Sequence, residues 1–355
     1  MKLDKLKGKK VLVTGHTGFK GSWMCKLLLM QGAQVSGYAL EPPTTPALFQ
    51  ELGLAKQMDS VIGDIRDYEH LFQVVKERKP EIVIHMAAQP IVRESYQNPR
   101  YTYETNVMGT VNVLEAVRNT DSVSSLVNVT TDKVYLNREW QWGYRENEEL
   151  NGYDPYSNSK SCSELVTSSY RQSFFQEKQI AISTMRAGNV VGGGDFAKDR
   201  IIPDCVRAAG KGQEIILRNP NSIRPYQHVL EPVAAYLLMA LAQQEDKTLE
   251  GAYNIGPDEA SCVTTAQMTS MFCDSWKEVS GKEIHWRAQG DGGPHEAGLL
   301  KLDCAKIKHA LNWQPVWDVK ETIHRVTQWY YAYTTGDSSC AVTEKQISEY
   351  LSNFS

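Results

Sequence analysis

The chain is poor in several things, and each shortage excludes a class of function. It has no surplus of basic residues: 38 Lys and Arg stand against 42 Asp and Glu for a net charge of −4, and the isoelectric point is near 6.1. Nucleic-acid binding draws on such a surplus, so RNA and DNA are not expected partners. No apolar run approaches the length of a bilayer span and the mean hydropathy is −0.42, so no membrane partner is expected. Behind the basic start Met1–Lys10 the apolar stretch is short and runs into Thr14-Gly15, which predicts no signal peptide and a cytoplasmic location. The seven cysteines (Cys25, Cys162, Cys205, Cys262, Cys273, Cys304, Cys340) are scattered singly, without a Cys-x-x-Cys pair or interleaved histidines. Reduced thiols and no metal follow; His295-Glu296 resembles a zinc pair but has no third ligand nearby. Asn128-Val129-Thr130 matches a glycosylation acceptor, yet it falls within an expected buried strand. There is no internal repeat and no low-complexity linker.

What the sequence does have is alternation. Short apolar runs at Val11–Val13, Val35–Tyr38, Val61-Ile62, Ile82–Ile84, Leu126–Val129 and Ile180–Met185 are separated by helix-like stretches. That rhythm predicts an α/β fold with a Rossmann doubly wound parallel sheet. Val107, Val111, Leu114 and Val117 form a helical stripe that reads as core packing or, alternatively, a dimer face. After Gly192–Gly194 the alternation breaks down, leaving a helix over about 231–242 and a strand at Ala252–Ile255. The expected division is a dinucleotide-binding domain of residues 1–188 and 229–256, interleaved with a smaller C-terminal substrate-binding domain of residues 189–228 and 257–355.

Directly after the first strand comes Gly15-His16-Thr17-Gly18-Phe19-Lys20-Gly21. Glycines there allow positive φ and let backbone amides approach a pyrophosphate at the positive end of the next helix. The place where an acid usually takes the adenosine ribose is held by Tyr38-Ala39, with Glu41 beyond; no arginine stands there for a 2′-phosphate, so NAD is expected ahead of NADP. Asp64-Ile65 either meets the adenine or caps the next helix. Further along, Asp154-Pro155 marks a helix start, and Tyr156 and Lys160 share one face of that helix. The lysine is expected to lower the tyrosine pKa, making it a base for a hydroxyl proton. At the carboxyl end of the fifth strand, Thr131, Asp132 and Lys133 point into the crevice where open α/β sheets bind ligands, and the acid and amine there form a potential proton-transfer couple.

These segments, with Pro42-Pro43-Thr44-Thr45-Pro46, His85-Met86-Ala87-Ala88-Gln89-Pro90, Arg186-Ala187-Gly188-Asn189 and Arg224-Pro225-Tyr226-Gln227-His228, resemble the extended short-chain dehydrogenase/reductases, and within them the CDP-glucose 4,6-dehydratases. Related dTDP-glucose enzymes carry glutamate where this chain has Lys133. The resemblance implies bound NAD, CDP-glucose as substrate, supply of a deoxysugar for surface polysaccharide, and a homodimer through a four-helix bundle built on residues 107–117 and 161–175. It implies catalytic roles for Thr131, Asp132, Lys133, Tyr156 and Lys160. Cofactor contacts are implied at Gly15, Thr17, Gly18, Phe19, Lys20, Gly21, Asp64, Ile65, Ala87, Ala88, Gln89 and Asn106 as well as Tyr156 and Lys160, and substrate contacts at Gln89, Asn189, Arg224, His228 and Asn254. An ordinary core hydrogen bond is the alternative for His228 and Asn254. The rival readings are a 4-epimerase or decarboxylase on the same fold, which has no use for the Asp132-Lys133 couple, or a non-catalytic dinucleotide-binding regulator.

Overall fold

The computed structural model describes residues 3–290 and 298–354, so His295-Glu296 lies outside the described residues. Seven parallel strands form the central sheet: β1 (Lys10–Thr14), β2 (Gln34–Ala39), β3 (Asp59–Ile62), β4 (Ile82–His85), β5 (Ser125–Thr131), β6 (Ala181–Ala187) and β7 (Ala252–Ile255), in the order β7-β6-β5-β4-β1-β2-β3. β1 pairs with β2 on one side (Val13 opposite Gly37) and with β4 on the other (Val13 opposite Ile84). The winding therefore reverses beside β1, and a crevice opens above the carboxyl ends of β1 and β4.

Every residue of β4, β5 and β6 is buried because helices cover both faces of the sheet. The pleat sorts the side chains into two cores. Val11, Val13, Ile82, Ile84, Val127 and Val129 join one that includes α1 (Phe19–Met30), α6 (Leu230–Glu245), α8 (Val319–Thr335) and α9 (Ser339–Asn353). Leu12, Val83, Leu126 and Ile182 face the other, with α2 (Tyr68–Arg78) and α3 (Gly109–Arg118). Both α4 (Pro155–Tyr170) and α5 (Ile201–Gly210) lead away from the crevice, and α7 (Thr265–Ser280) packs beside α8. Helix α6 is buried from Leu230 to Gln243, so it shows no amphipathic face.

The expected stripe at 107–117 splits in the structure. A π-helical turn at Glu104–Met108 precedes α3 and shifts the register. The core face becomes Val113, Leu114, Ala116 and Val117, while Val107 and Val111 are only half-buried. Asn128 is fully buried and donates to Ser163 and Thr167. The seven cysteines are unpaired. Among the described residues no helix is long and apolar enough to cross a membrane. Past β6 the chain makes small two-stranded ribbons: Val190-Val191 with Gln227-His228, Ile223–Pro225 with Cys262–Thr264, and Ile215–Leu217 with Trp286–Ala288.

Candidate active site

The glycine loop is built for close approach. Gly15 has φ +78°, and a Cβ there would stand 2.8 Å from the Ala87 amide nitrogen; one on Gly21 would stand 2.1 Å from the Gly15 carbonyl oxygen. Gly18 begins α1 without a side-chain cap, so the first-turn amides have no side-chain acceptor at their own cap. A bare backbone cradle at the positive end of a helix fits the pyrophosphate of a dinucleotide. Phe19 flanks this cradle from the side of Gly192, while Thr17 spends its hydroxyl on the Leu40 carbonyl at 2.8 Å. His16, though it stands in the glycine loop, turns inward. It is fully buried beside Gly37 and Phe49, bonds Ser60 at 2.7 Å, and burial lowers its pKa to about 4.

Asp64 and Ile65 follow β3 as expected, but Asp64 forks onto Arg66 at 2.6 Å. Burial alone would raise its pKa; the guanidinium holds it below the ordinary carboxylate range. The cap of α2 is Asp67, not Asp64. Ile65 is buried against Gly109. On the loop after β4 the Ala87 amide donates to Thr14, and Asn106 clamps Gln89 by accepting from its amide at 2.8 Å and donating to its carbonyl at 3.0 Å. Ala88 lies between these two anchors.

The reacting groups converge at the end of β5. The Thr131 hydroxyl donates to Asp132 at 2.9 Å, and Lys133 Nζ lies 3.6 Å from the same carboxylate oxygen. Asp132 is almost completely buried, and among the described residues its second oxygen has no partner. Tyr156, in the first turn of α4 behind the Asp154 cap, lies beside Thr131, whose hydroxyl favours its ionised form. Its electrostatics differ from the expectation. Burial raises the phenol to about 12; Thr131 pulls it down, Asp132 pushes it up and Arg200 pulls it down. The Lys160 ammonium points at the Val129 carbonyl, 3.1 Å away, and burial lowers its pKa to about 8. Lys20 is lowered to about 7 by burial and then by the charges of Arg200 and Lys160; its ammonium lies 5.7 Å from the Tyr236 ring centroid.

Several expected ligand residues are committed elsewhere. Gln89 donates to Thr102 at 2.9 Å and accepts from the Ile91 amide. His228 is wedged between Trp23 and Trp317, accepting from the Leu230 amide. Asn254 bonds Tyr135, the Tyr144 carbonyl and the Asp303 carbonyl. Both are fully buried; Asn254 makes its bonds inside the protein, whereas among the described residues His228 Nε2 has no partner. Among the described residues the buried amide oxygen of Asn189 has no partner, and Arg224 is buried with Nη1 on the Ile223 carbonyl.

Sequence reasoning missed the frame behind Tyr156. Glu164 on α4 is buried, accepts from Thr130 and from Thr184 at 2.6 Å, and pairs with buried Arg186 at 2.9 Å. Together with Ser159, Ser163 and Thr167 it locks α4 onto its neighbours. The hydroxyls at 159, 163 and 167 recur every fourth residue, which was the available signal.

The sequence profile described as GDP-mannose 4,6 dehydratase matches residues 12–326. The chain belongs to this family. It is 49% identical over 352 residues to the CDP-glucose 4,6-dehydratase of Salmonella typhimurium, covering 97% of each chain. A solved UDP-glucose 4-epimerase of Thermus thermophilus in complex with NAD superposes with a TM-score of 0.77 at 26% identity, covering 90% of this chain and 98% of that one. The dTDP-glucose 4,6-dehydratase of Bacillus anthracis in complex with NAD superposes at 0.75 with 22% identity, covering 93% and 99%. These neighbours share the fold described above.

Proposed function

We propose that the protein is an NAD-dependent CDP-glucose 4,6-dehydratase, converting CDP-D-glucose to CDP-4-keto-6-deoxy-D-glucose and water. The observation that carries this reading is the Asp132-Lys133 pair, 3.6 Å apart beside Thr131 and Tyr156, in a chain 49% identical to a protein of that name. An epimerase has no step that requires such a couple.

NAD, cradled by Gly15, Gly18 and Gly21, supplies a hydride acceptor for C4 and a hydride donor for C6. Tyr156, aided by Thr131, takes the proton of the 4-hydroxyl, and Lys160 holds the cofactor's ribose. With C4 a ketone, the C5 hydrogen is acidic. Lys133 takes that proton while Asp132 gives one to the departing 6-hydroxyl, which leaves as water; once C6 has received the hydride, Lys133 returns a proton to C5. The pair is suited to this because the acid and the amine stand 3.6 Å apart and can divide the two proton transfers between them. Asn189 and Arg224 hold the sugar and diphosphate.

Residues 1–188 and 229–256 serve the dinucleotide in this reading, and residues 189–228 and 257–355 the sugar nucleotide. Met108, Leu165 and Phe174 are exposed apolar residues in or beside the helical segments 104–118 and 155–175, which supports pairing of two copies through a four-helix bundle. The reaction belongs in the cytoplasm, supplying a deoxysugar for surface polysaccharide.

The test is turnover of CDP-glucose with NAD in deuterated water. The expected product carries solvent deuterium at C5 and the original C4 hydrogen at C6. Formation of the galactose epimer, or loss of the C4 label to solvent, would sink the proposal.

A further inference from the structure

We propose that Arg200 is an additional ligand for the diphosphate of the sugar nucleotide, and that Asp195 is its positioning residue. The inference rests on the function proposed above. Arg200 is the residue from which the chain enters α5, and its side chain is 35% exposed. It gives Nη1 to Asp195 Oδ2 at 3.0 Å. Among the described residues no other protein acceptor takes its remaining donors. Asp195 itself cannot swing: it is buried, its Oδ1 accepts from the Ala197 amide at 3.1 Å, and its carbonyl receives the hydroxyl of buried Tyr330 at 2.5 Å. The guanidinium is thereby fixed at one corner with the rest of its fork available.

The neighbours locate that fork. The charge of Arg200 acts on both Lys20 of the glycine loop and Tyr156 of α4, and Lys20 also feels Lys160. Three cations thus share one region of the crevice, set among the described residues against Asp132 and against Asp195, which is paired to Arg200. Gathering like charges is unfavourable, and an anion that enters among them relieves it. A pyrophosphate matches the planar fork and carries two charges. Two molecules in this reaction have one. The dinucleotide's already has a cradle of backbone amides at 15–21, whereas Arg200 lies on the segment after β6 that also carries Asn189 and Arg224, so the sugar nucleotide is the assigned partner.

The experiment compares the full-length protein with Arg200→Ala, Arg200→Lys and Asp195→Asn. Calorimetry measures binding of CDP, cytidine and NAD separately, and steady-state kinetics follow CDP-glucose. Loss of one charge-assisted fork predicts CDP weakened by about 10- to 100-fold in Arg200→Ala, with cytidine and NAD within about twofold. Arg200→Lys restores part of the CDP affinity. Asp195→Asn raises KM by about 3- to 10-fold with a smaller change in kcat, and narrows the preference for CDP over cytidine; a merely structural role would lower the melting temperature without that split. Parental CDP affinity in Arg200→Ala, or a loss confined to NAD, overturns the proposal. If the parent fails to turn over CDP-glucose, the function is wrong, and the same variants compared on whichever nucleoside diphosphate does bind still decide the role of Arg200.

Discussion

The carboxyl ends of β1 and β5 and the segment from 189 to 228 face the same crevice but are organised differently. At the strand ends the chemistry is local: Thr131, Asp132 and Lys133 are consecutive and bonded to one another, and the glycines of the loop clear space for one another and for Ala87. In the later segment several groups are held in addition by partners distant in sequence. Tyr330 fixes Asp195, Trp23 donates to the Gly193 carbonyl, and a Cβ on Gly193 would strike the Trp329 ring at 2.0 Å. Reacting groups belong to short motifs, while the parts that grip a ligand depend on the packing of the whole chain.

The contrast can be broken at several points. Tyr156→Phe and Lys133→Met should each lower kcat by about 10³-fold while leaving NAD affinity and melting temperature near the parental values. Lys133→Met should also abolish C5 deuterium incorporation. An intact elimination rate in that variant would assign the base elsewhere. Glu164→Ala tests the long-range frame: Arg186 is left buried without its partner, and stability should fall by about 3–5 kcal/mol in chemical denaturation. Gly15→Ala, forced to a positive φ and against Ala87, should cost about 1–3 kcal/mol and weaken NAD binding in a fluorescence titration.

The smallest expected effect concerns Glu231 on α6, whose carboxylate accepts from the Val316 and Trp317 amides and the Tyr350 hydroxyl. Burial raises its pKa to about 7 from 4.5. A folded-state pKa above the unfolded value means the folded protein holds the proton more tightly. That contribution is fully present below pH 4.5 and is lost as pH rises through 7. Glu231→Gln should flatten the decline by up to about 1 kcal/mol per pH unit, read from melting curves of both proteins across that interval. Parallel curves would assign the slope to other groups.

Strands, glycine loop and helix start were legible because their causes are local: a run of apolar residues, a required positive φ, an Asp-Pro cap. The strands extend further than their apolar centres, so β5 reaches Thr131 and β6 reaches Ala187, carrying polar motif residues into the sheet. What could not be read were contacts between distant segments. Nothing near His228 announces Trp23 and Trp317, nothing near Gln89 announces Asn106, and the spacing of Tyr156 and Lys160 says nothing of the Val129 carbonyl that takes the ammonium. The π-helical turn at 104–108 likewise shifts a stripe that spacing alone makes continuous.

Helix α1, whose first residues form the cofactor cradle, carries Lys26, almost completely buried and ion-paired to Glu344 of α9 at 2.6 Å. A chain made from its amino end produces the cradle early and this partner late. The cation that α1 buries is thus neutralised by a carboxylate made 318 residues later (344 against 26).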